Sequence, residues 1–216
     1  PGRQYHRELP GPPRVAEIVR NLVEAIVPTF DETGEFLKTY IVYAPDNGFH
    51  LSLRRMMEGK DTAHEEDIRA PLFIFGPGIT PGTTVDAMAL SIDPAPTFAG
   101  MAGTVPADPV DGRSVLLGHG DGWGRSVLVQ RQGLKADERL RFAHAVALRT
   151  DTRTYVGWTD GEHEANDHAT DPDRRGNAYG ALAPATTSAL WDLLIKVRAG
   201  AAQAGRSLEN ATPPAP

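Results

Sequence analysis

The stretch Asp46-Asn47-Gly48-Phe49-His50 puts a carboxylate, an amide and an imidazole within five residues. It follows directly on the β-branched and aromatic run Thr39-Tyr40-Ile41-Val42-Tyr43-Ala44. Oxygens of Asp and Asn are what hard cations such as Ca²⁺ or Mg²⁺ take, but two donors fall short of the roughly six to eight around Ca²⁺. Asp-Asn-Gly is equally a common turn sequence, because short polar side chains bond their own backbone there. His50 could donate to a ligand hydroxyl or a departing oxygen, or it could be a hydrogen-bonded histidine in a pocket wall. On the residues alone both pairs of readings stay open. His64-Glu65-Glu66-Asp67 reads as a solvated loop or helix start rather than a metal site. Residues 160–168 hold carboxylates and two histidines, but with neither paired helical ligands nor an EF-hand pattern.

These residues need elements to hold them. Val15, Ile18, Val19, Leu22, Val23, Ile26 and Val27 repeat at helical spacing, which predicts an amphipathic helix ending near Pro28. Gly34 breaks the chain. The run at 39–44 has no polar alternation, as in a strand buried on both faces, and Pro71-Leu72-Phe73-Ile74-Phe75 repeats that signature. In open α/β sheets ligands bind beyond the carboxyl ends of strands, which is where Asp46 and Asn47 stand. A short helix is expected over residues 94–101. Beyond a glycine-rich stretch at 118–124 the pattern becomes short strands at 126–130, 143–149 and 154–158. A last helix over residues 186–202 carries Leu190, Leu193, Leu194 and Val197 on one face with Trp191 beside them. The fold class is therefore α/β, followed by a small antiparallel sheet with a helix. The expected divisions are an extended lead-in at 1–13, an α/β part at 14–117, an α+β subdomain at 118–202 and a Pro-rich disordered tail at 203–216.

Composition narrows the classes of function. Lys and Arg total 22 against 28 Asp and Glu, a formal charge of -6, which argues against a surface built for nucleic acid. No apolar run approaches the roughly 20 residues that cross a bilayer, so no membrane role is expected. There is no Cys, which excludes disulfides, thiolate metal sites and cysteine nucleophiles.

A longer match runs from Thr39 through Asp46-Asn47-Gly48-Phe49-His50 to Gly59-Lys60-Asp61-Thr62-Ala63-His64 and on to Arg69-Ala70-Pro71-Leu72. It continues in order through Gly76-Pro77-Gly78, Asp93-Pro94-Ala95-Pro96-Thr97 and Asp111-Gly112-Arg113-Ser114. This resembles the type I sulfatases, particularly the branch similar to N-acetylglucosamine-6-sulfatases. The resemblance implies part of an alkaline-phosphatase-like sulfatase sheet and hydrolysis of sulfate esters of sugars or aryl alcohols. It implies Asp46 and Asn47 as two ligands of a divalent cation, usually calcium, and Lys60 as a contact of the sulfate group. It also implies an internal salt bridge for Arg69. A hairpin strand leading through Asp160-Gly161 to Asp171-Pro172 and Asn177 matches too, with Ala165 and Asn166 where Leu and Tyr are expected, so weaker packing is expected there.

The family attacks sulfur with formylglycine, made from the Cys or Ser heading a Cys/Ser-x-Pro/Ala-x-Arg motif. None of Ser52, Ser91, Ser114, Ser126, Ser188 or Ser207 heads such a motif. The expectation is a carboxyl-terminal portion whose partner is the missing amino-terminal half of the same enzyme, inactive alone, with apolar faces poorly covered. Periplasmic, secreted or lysosomal placement is the family's habit. Two alternatives stand beside it. One is a non-catalytic module that binds sulfated glycans or acidic ligands through Lys60, Arg54 and Arg55. The other is a phosphohydrolase or phosphonate-transferring relative, which would call for a cluster of Asp and His ligands that the stretch after Asp46-Asn47 lacks.

Overall fold

The computed structural model describes residues 12–51, 58–60, 62–117, 126–131, 145–158, 160–172, 174 and 176–199. Helical spacing of apolar residues produces α1 (Pro12–Glu32). Its stripe lies open, with Ile18 62% and Leu22 57% exposed. The helix runs past the expected stop and carries Pro28 inside it. Proline there takes the amide partner from the Glu24 carbonyl, and on this exposed stretch water can serve that oxygen instead. Termination falls at Gly34, where Gly34 N–H donates to Asp31 O at 3.0 Å and Glu35 N–H to Phe30 O at 2.9 Å. Those two bonds are the Schellman closure, with glycine in the left-handed position at φ 70°.

A 3₁₀ turn at Phe36–Lys38 leads into β1 (Ile41–Tyr43), which pairs antiparallel with β2 (Phe73–Phe75), Val42 opposite Ile74. Phe36 packs on Phe75 at 4.8 Å between ring centres, and the Tyr40 hydroxyl donates to the Pro77 carbonyl. Burial of these strands on both faces is corrected: Ile41 and Val42 are half-buried, and Phe73 and Phe75 are exposed. A run without polar alternation calls for a layer on each face. The described residues of this unit do not supply both.

Contacts divide the chain into two compact units, Pro1–Tyr43 with Phe73–Thr83, and Ala44–Leu72 with Thr84–Pro216. The loop bearing Asp46 to Lys60 belongs to the same unit as the carboxyl-terminal sheet.

That second unit holds α2 (Glu65–Ile68), α3 (Pro94–Met101) and a four-stranded antiparallel sheet. The strands are β3 (Ser126–Arg131), β4 (Ala145–Thr150), β5 (Arg153–Trp158) and β6 (His163–Asp167), each beside the next in sequence. Alternation sends Leu148, Tyr155 and Ala165 to one face, where α4 (Pro184–Ala199) lays Leu190, Leu194 and Val197. Leu193 is partly buried against the same core. Ala145, Ala147 and Val156 on the other face pack with Ala63. Strand β6 departs from expectation, because a run of His, Glu, Ala, Asn and Asp has no apolar alternation to announce it. Backbone pairing with β5 makes it a strand, and Asn177 finishes its outer edge by accepting from Ala165 N–H at 3.1 Å and donating to His163 O at 2.8 Å. Ala165, where the sequence suggests weaker packing, is 3% exposed and belongs to the core under α4. Asn166 is buried, and its Oδ1 has no partner among the described residues.

Two of the matched motifs close on one another. Asp93, just before α3, accepts from the Leu90 and Arg113 backbone amides, both at 2.8 Å, while Thr97 Oγ1 accepts from Val115 N–H at 3.1 Å.

Candidate functional site

The loop after β1 is fixed by a close approach. Gly48 N–H donates to the Asp67 carbonyl at 2.8 Å, and a Cβ at Gly48 would stand 2.0 Å from the Glu66 carbonyl oxygen. Only glycine lets the two backbones meet there. His50 and Gly59 then exchange both backbone bonds, at 2.8 and 3.2 Å, so the chain returns antiparallel and delivers Lys60 alongside Asn47. Lys60 Nζ donates to Asn47 Oδ1 at 2.9 Å and to Asp46 Oδ2 at 3.3 Å. Asp46 Oδ1 accepts from Asn47 N–H at 3.0 Å, and Asn47 Nδ2 donates to Gly48 O at 2.6 Å, which turns its oxygen toward the ammonium. The hydrogen bond and charge of Lys60 hold the exposed Asp46 carboxyl below its ordinary value. Three residues singled out from sequence are thus brought together, Asp46 and Lys60 exposed and Asn47 half-buried.

His50 lies deeper, 4% exposed, with Nδ1 2.6 Å from Asp67 Oδ1. Asp67, 3% exposed, also accepts from Thr62 N–H at 2.8 Å and the Thr62 hydroxyl at 2.6 Å. Of the two readings of residues 64–67, solvated loop or helix start, the helix start holds. Its aspartate turns inward as the post on which the loop hangs. Arg69 is corrected: its side chain is exposed and forms no ion pair with the described residues.

Glu65 joins this loop to the sheet. It pairs with Arg149 Nε of β4 at 3.1 Å and with Arg174, whose guanidinium also donates to Ala63 O at 3.1 Å and meets His168 Nε2 at 2.8 Å. Burial works to raise the Glu65 carboxyl, yet the bond from Arg149 and the charges of Arg149 and Arg174 outweigh it and the net shift is downward. Burial, then those same two arginines, push His168 down. Sequence reasoning missed Asp67, Thr62 and this network. Arg174 sits at φ 49°, a backbone state with no signature in its own residue type.

The implied cation can be tested against these residues. Asp46 Oδ2 and Asn47 Oδ1 are hard oxygens facing one point, which suits calcium in kind but supplies two donors of the roughly six to eight it takes. No group of three or more His, Asp or Glu among the described residues is placed to hold a metal. The residues fit one edge of such a site. Arg54 and Arg55 lie outside the described residues.

An α/β layer with a ligand-bearing loop after a strand, followed by an antiparallel sheet under one helix, is the architecture of part of an alkaline-phosphatase-like enzyme, and solved structures agree. One described in complex with its substrate D-glucosamine-2-N,6-O-disulfate superposes with TM-score 0.73 at 25% identity, over 88% of this chain and 39% of that one. A phosphonate monoester hydrolase from Silicibacter pomeroyi gives 0.68 at 25% identity, over 82% and 37%. Residues 18–104 match the family described as Sulfatase. An arylsulfatase of Chlamydomonas reinhardtii is 31% identical over 209 residues, 80% of this chain and 32% of its own length. The human N-acetylglucosamine-6-sulfatase is 38% identical over 120 residues, 53% and 22%. An extracellular sulfatase SULF-1 homologue of Drosophila melanogaster is 38% identical over 118 residues, 51% and 11%. The chain belongs to the sulfatase family. It spans at most about a third of the length of these three relatives. Among the described residues no helix is long and apolar enough to cross a membrane.

Proposed function

We propose that this chain forms the sulfate-binding edge of a sulfuric ester hydrolase acting on sulfate esters of sugars or aryl alcohols. The observation that carries it is Lys60 Nζ held 2.9 and 3.3 Å from Asn47 and Asp46 on a loop tied down by buried bonds. Lys60 Nζ spends two of its three N–H donors on Asn47 and Asp46, which leaves one for a sulfate oxygen arriving at this half-exposed edge. As the ester bond breaks, negative charge grows on the leaving oxygen, and a fixed positive charge lowers the energy of that state more than of the substrate. His50, clamped by Asp67 through Nδ1, is the second residue we assign to the substrate or leaving-group side. A calcium ion at Asp46 and Asn47 would take the point where Lys60 Nζ now donates, so the lysine would move off these oxygens toward the sulfate while the ion would polarise the sulfuryl group.

The nucleophile is not among these 216 residues, since no Cys is present and no Ser heads the required motif. Groups that act as a unit in catalysis do not yield half the rate when half are present. The chain alone is therefore expected to release no alcohol from p-nitrophenyl sulfate above a no-protein control, and measurable turnover would overturn this assignment. Inorganic sulfate at low salt should shift the Asn47 and Lys60 resonances and leave Lys60→Gln unmoved. No shift in the parent chain would remove Lys60 from the reading. A sulfated oligosaccharide held in a salt-sensitive way, without cleavage, is the behaviour expected of this chain by itself and equally of a purely binding module. We place the whole enzyme outside the cytoplasm, in keeping with the extracellular name its relative bears.

A further inference from the structure

We propose that the sheet and α4 form a second binding site, a cleft for one uncharged pyranose ring. Tyr155, His163, Tyr179 and Trp191 line a shallow, solvent-open depression of about 270 Å³, with Thr187 and Ser188 at its side. The volume suits a single ring rather than an extended oligosaccharide, since pockets for drug-sized ligands run upward from about 300 Å³.

The rings are set with definite geometry. His163 stacks on Tyr179 at 4.9 Å, and Trp191 stands edge-on to His163 at 5.7 Å and to Tyr155 at 6.5 Å. Trp191 is 40% exposed, whereas Tyr155 beneath is buried. A glycine sets the position of Trp191: a Cβ at Gly157 would lie 2.7 Å from its Cζ3, so the indole rests on bare β5 backbone. The cleft thus has a rigid aromatic wall held by the sheet rather than a loose apolar patch.

Polar handles accompany the wall. The Tyr155 hydroxyl bonds His163 Nδ1 at 3.2 Å, which leaves Nε2 without a partner among the described residues. That nitrogen serves a ligand hydroxyl as donor or acceptor according to the tautomer. Ser188 is exposed, and its hydroxyl likewise meets no described partner. Among the described residues no Lys, Arg, Asp or Glu lines the opening. Apolar ring faces beside scattered hydroxyl and imidazole groups, without charge, match a sugar, whose axial C–H bonds form one apolar face and whose hydroxyls form a polar rim. A sulfate would find no counter-charge here. Its place is at Lys60, and the cleft would take an unsulfated residue. Only the identity of the glycan depends on the proposed sulfatase function. Ring binding depends on the cleft alone.

Saturation-transfer NMR of the 216-residue chain with N-acetylglucosamine tests this and tolerates self-association of the protein. The ring C–H protons should saturate, most strongly those of one face. Trp191→Ala should weaken binding about fivefold or more, as expected for loss of an aromatic platform. Ser188→Trp, at an exposed position, should block the cleft with the fold intact, whereas Lys60→Gln should leave the signal unchanged. Absence of saturation at about 10 mM sugar, the weak end of specific affinity, would overturn the proposal. So would equal saturation in the Trp191 and Ser188 variants. Loss of sulfate binding at Lys60 with the N-acetylglucosamine signal intact would overturn the sulfate reading and leave this one standing.

Discussion

Removing the Asp67 carboxylate should loosen the loop that carries Lys60. It is 3% exposed and takes three donors, His50 Nδ1 at 2.6 Å, Thr62 N–H at 2.8 Å and the Thr62 hydroxyl at 2.6 Å. Bonds to a charged group are worth about 1.5–3 kcal/mol each, but three on one acceptor do not simply add. Taking one partner from a buried charged pair costs about 3–5 kcal/mol. The lower end applies, because Thr62 is only partly buried and its hydroxyl can turn to water. About 3 kcal/mol corresponds to roughly a hundredfold change in an opening equilibrium. Amide hydrogen exchange reads this directly at Thr62, at Gly48 and at His50. In Asp67→Ala these amides should exchange roughly a hundredfold faster, with amides of β4 and β5 little changed. Asp67→Asn keeps one acceptor oxygen and should give an acceleration of about tenfold. A change below about threefold at all three amides in Asp67→Ala, under about 1 kcal/mol, would refute the claim that this carboxylate holds the loop.

Lys60→Gln should let the Asp46 carboxyl titrate at a higher pH, because the ammonium is what depresses it, and carboxyl NMR shifts follow that titration. The Lys60 contact is present above the Asp46 pKa and fades as pH falls through it. Both Glu65 and His168 are lowered in the folded chain, so the unfolded chain binds more protons and stability falls on acidification. The melting temperature should drop first as pH falls through the ordinary histidine value of 6.5, and again below the ordinary glutamate value of 4.5. His168→Gln should flatten the first drop, and an unchanged profile would count against a neutral His168. Gly157→Ala should destabilise by about 1–3 kcal/mol in a denaturant melt, since the new methyl must displace the Trp191 ring. Light scattering should show self-association through the open stripe of α1 and the faces of β1 and β2, relieved by Ile18→Glu with Leu22→Glu. A monodisperse parent chain would contradict this.

Where periodicity and local chemistry agree, the elements were legible. Helix α3 falls on the expected residues, α4 starts two residues early on a proline suited to a first turn, and β3 to β5 follow their apolar alternation. Strand β6 was not, because its identity comes from a neighbour's hydrogen bonds rather than from its own side chains. The burial expected of β1 failed for a related reason: an apolar run shows that cover is needed, not where the cover lies. At the site, Asp46, Asn47 and His50 stood out by residue type, and Lys60 only through the resemblance. Asp67 was hidden in an acidic run that looks solvated, since its partners sit at positions 50 and 62. The union of Glu65 with Arg149 and Arg174 spans 84 and 109 residues of chain and leaves no local trace.

That union bears on how the protein can be dissected. Ala63 and Glu65, three and five residues beyond Lys60, are gripped by arginines from β4 and from the turn after β6. A chain cut short before residue 118 would keep every residue of the proposed sulfate edge and lose the anchors that set its pose. The small sheet is thus part of the mounting of that loop, and removing it would be expected to cost the pose of Lys60 before it cost expression.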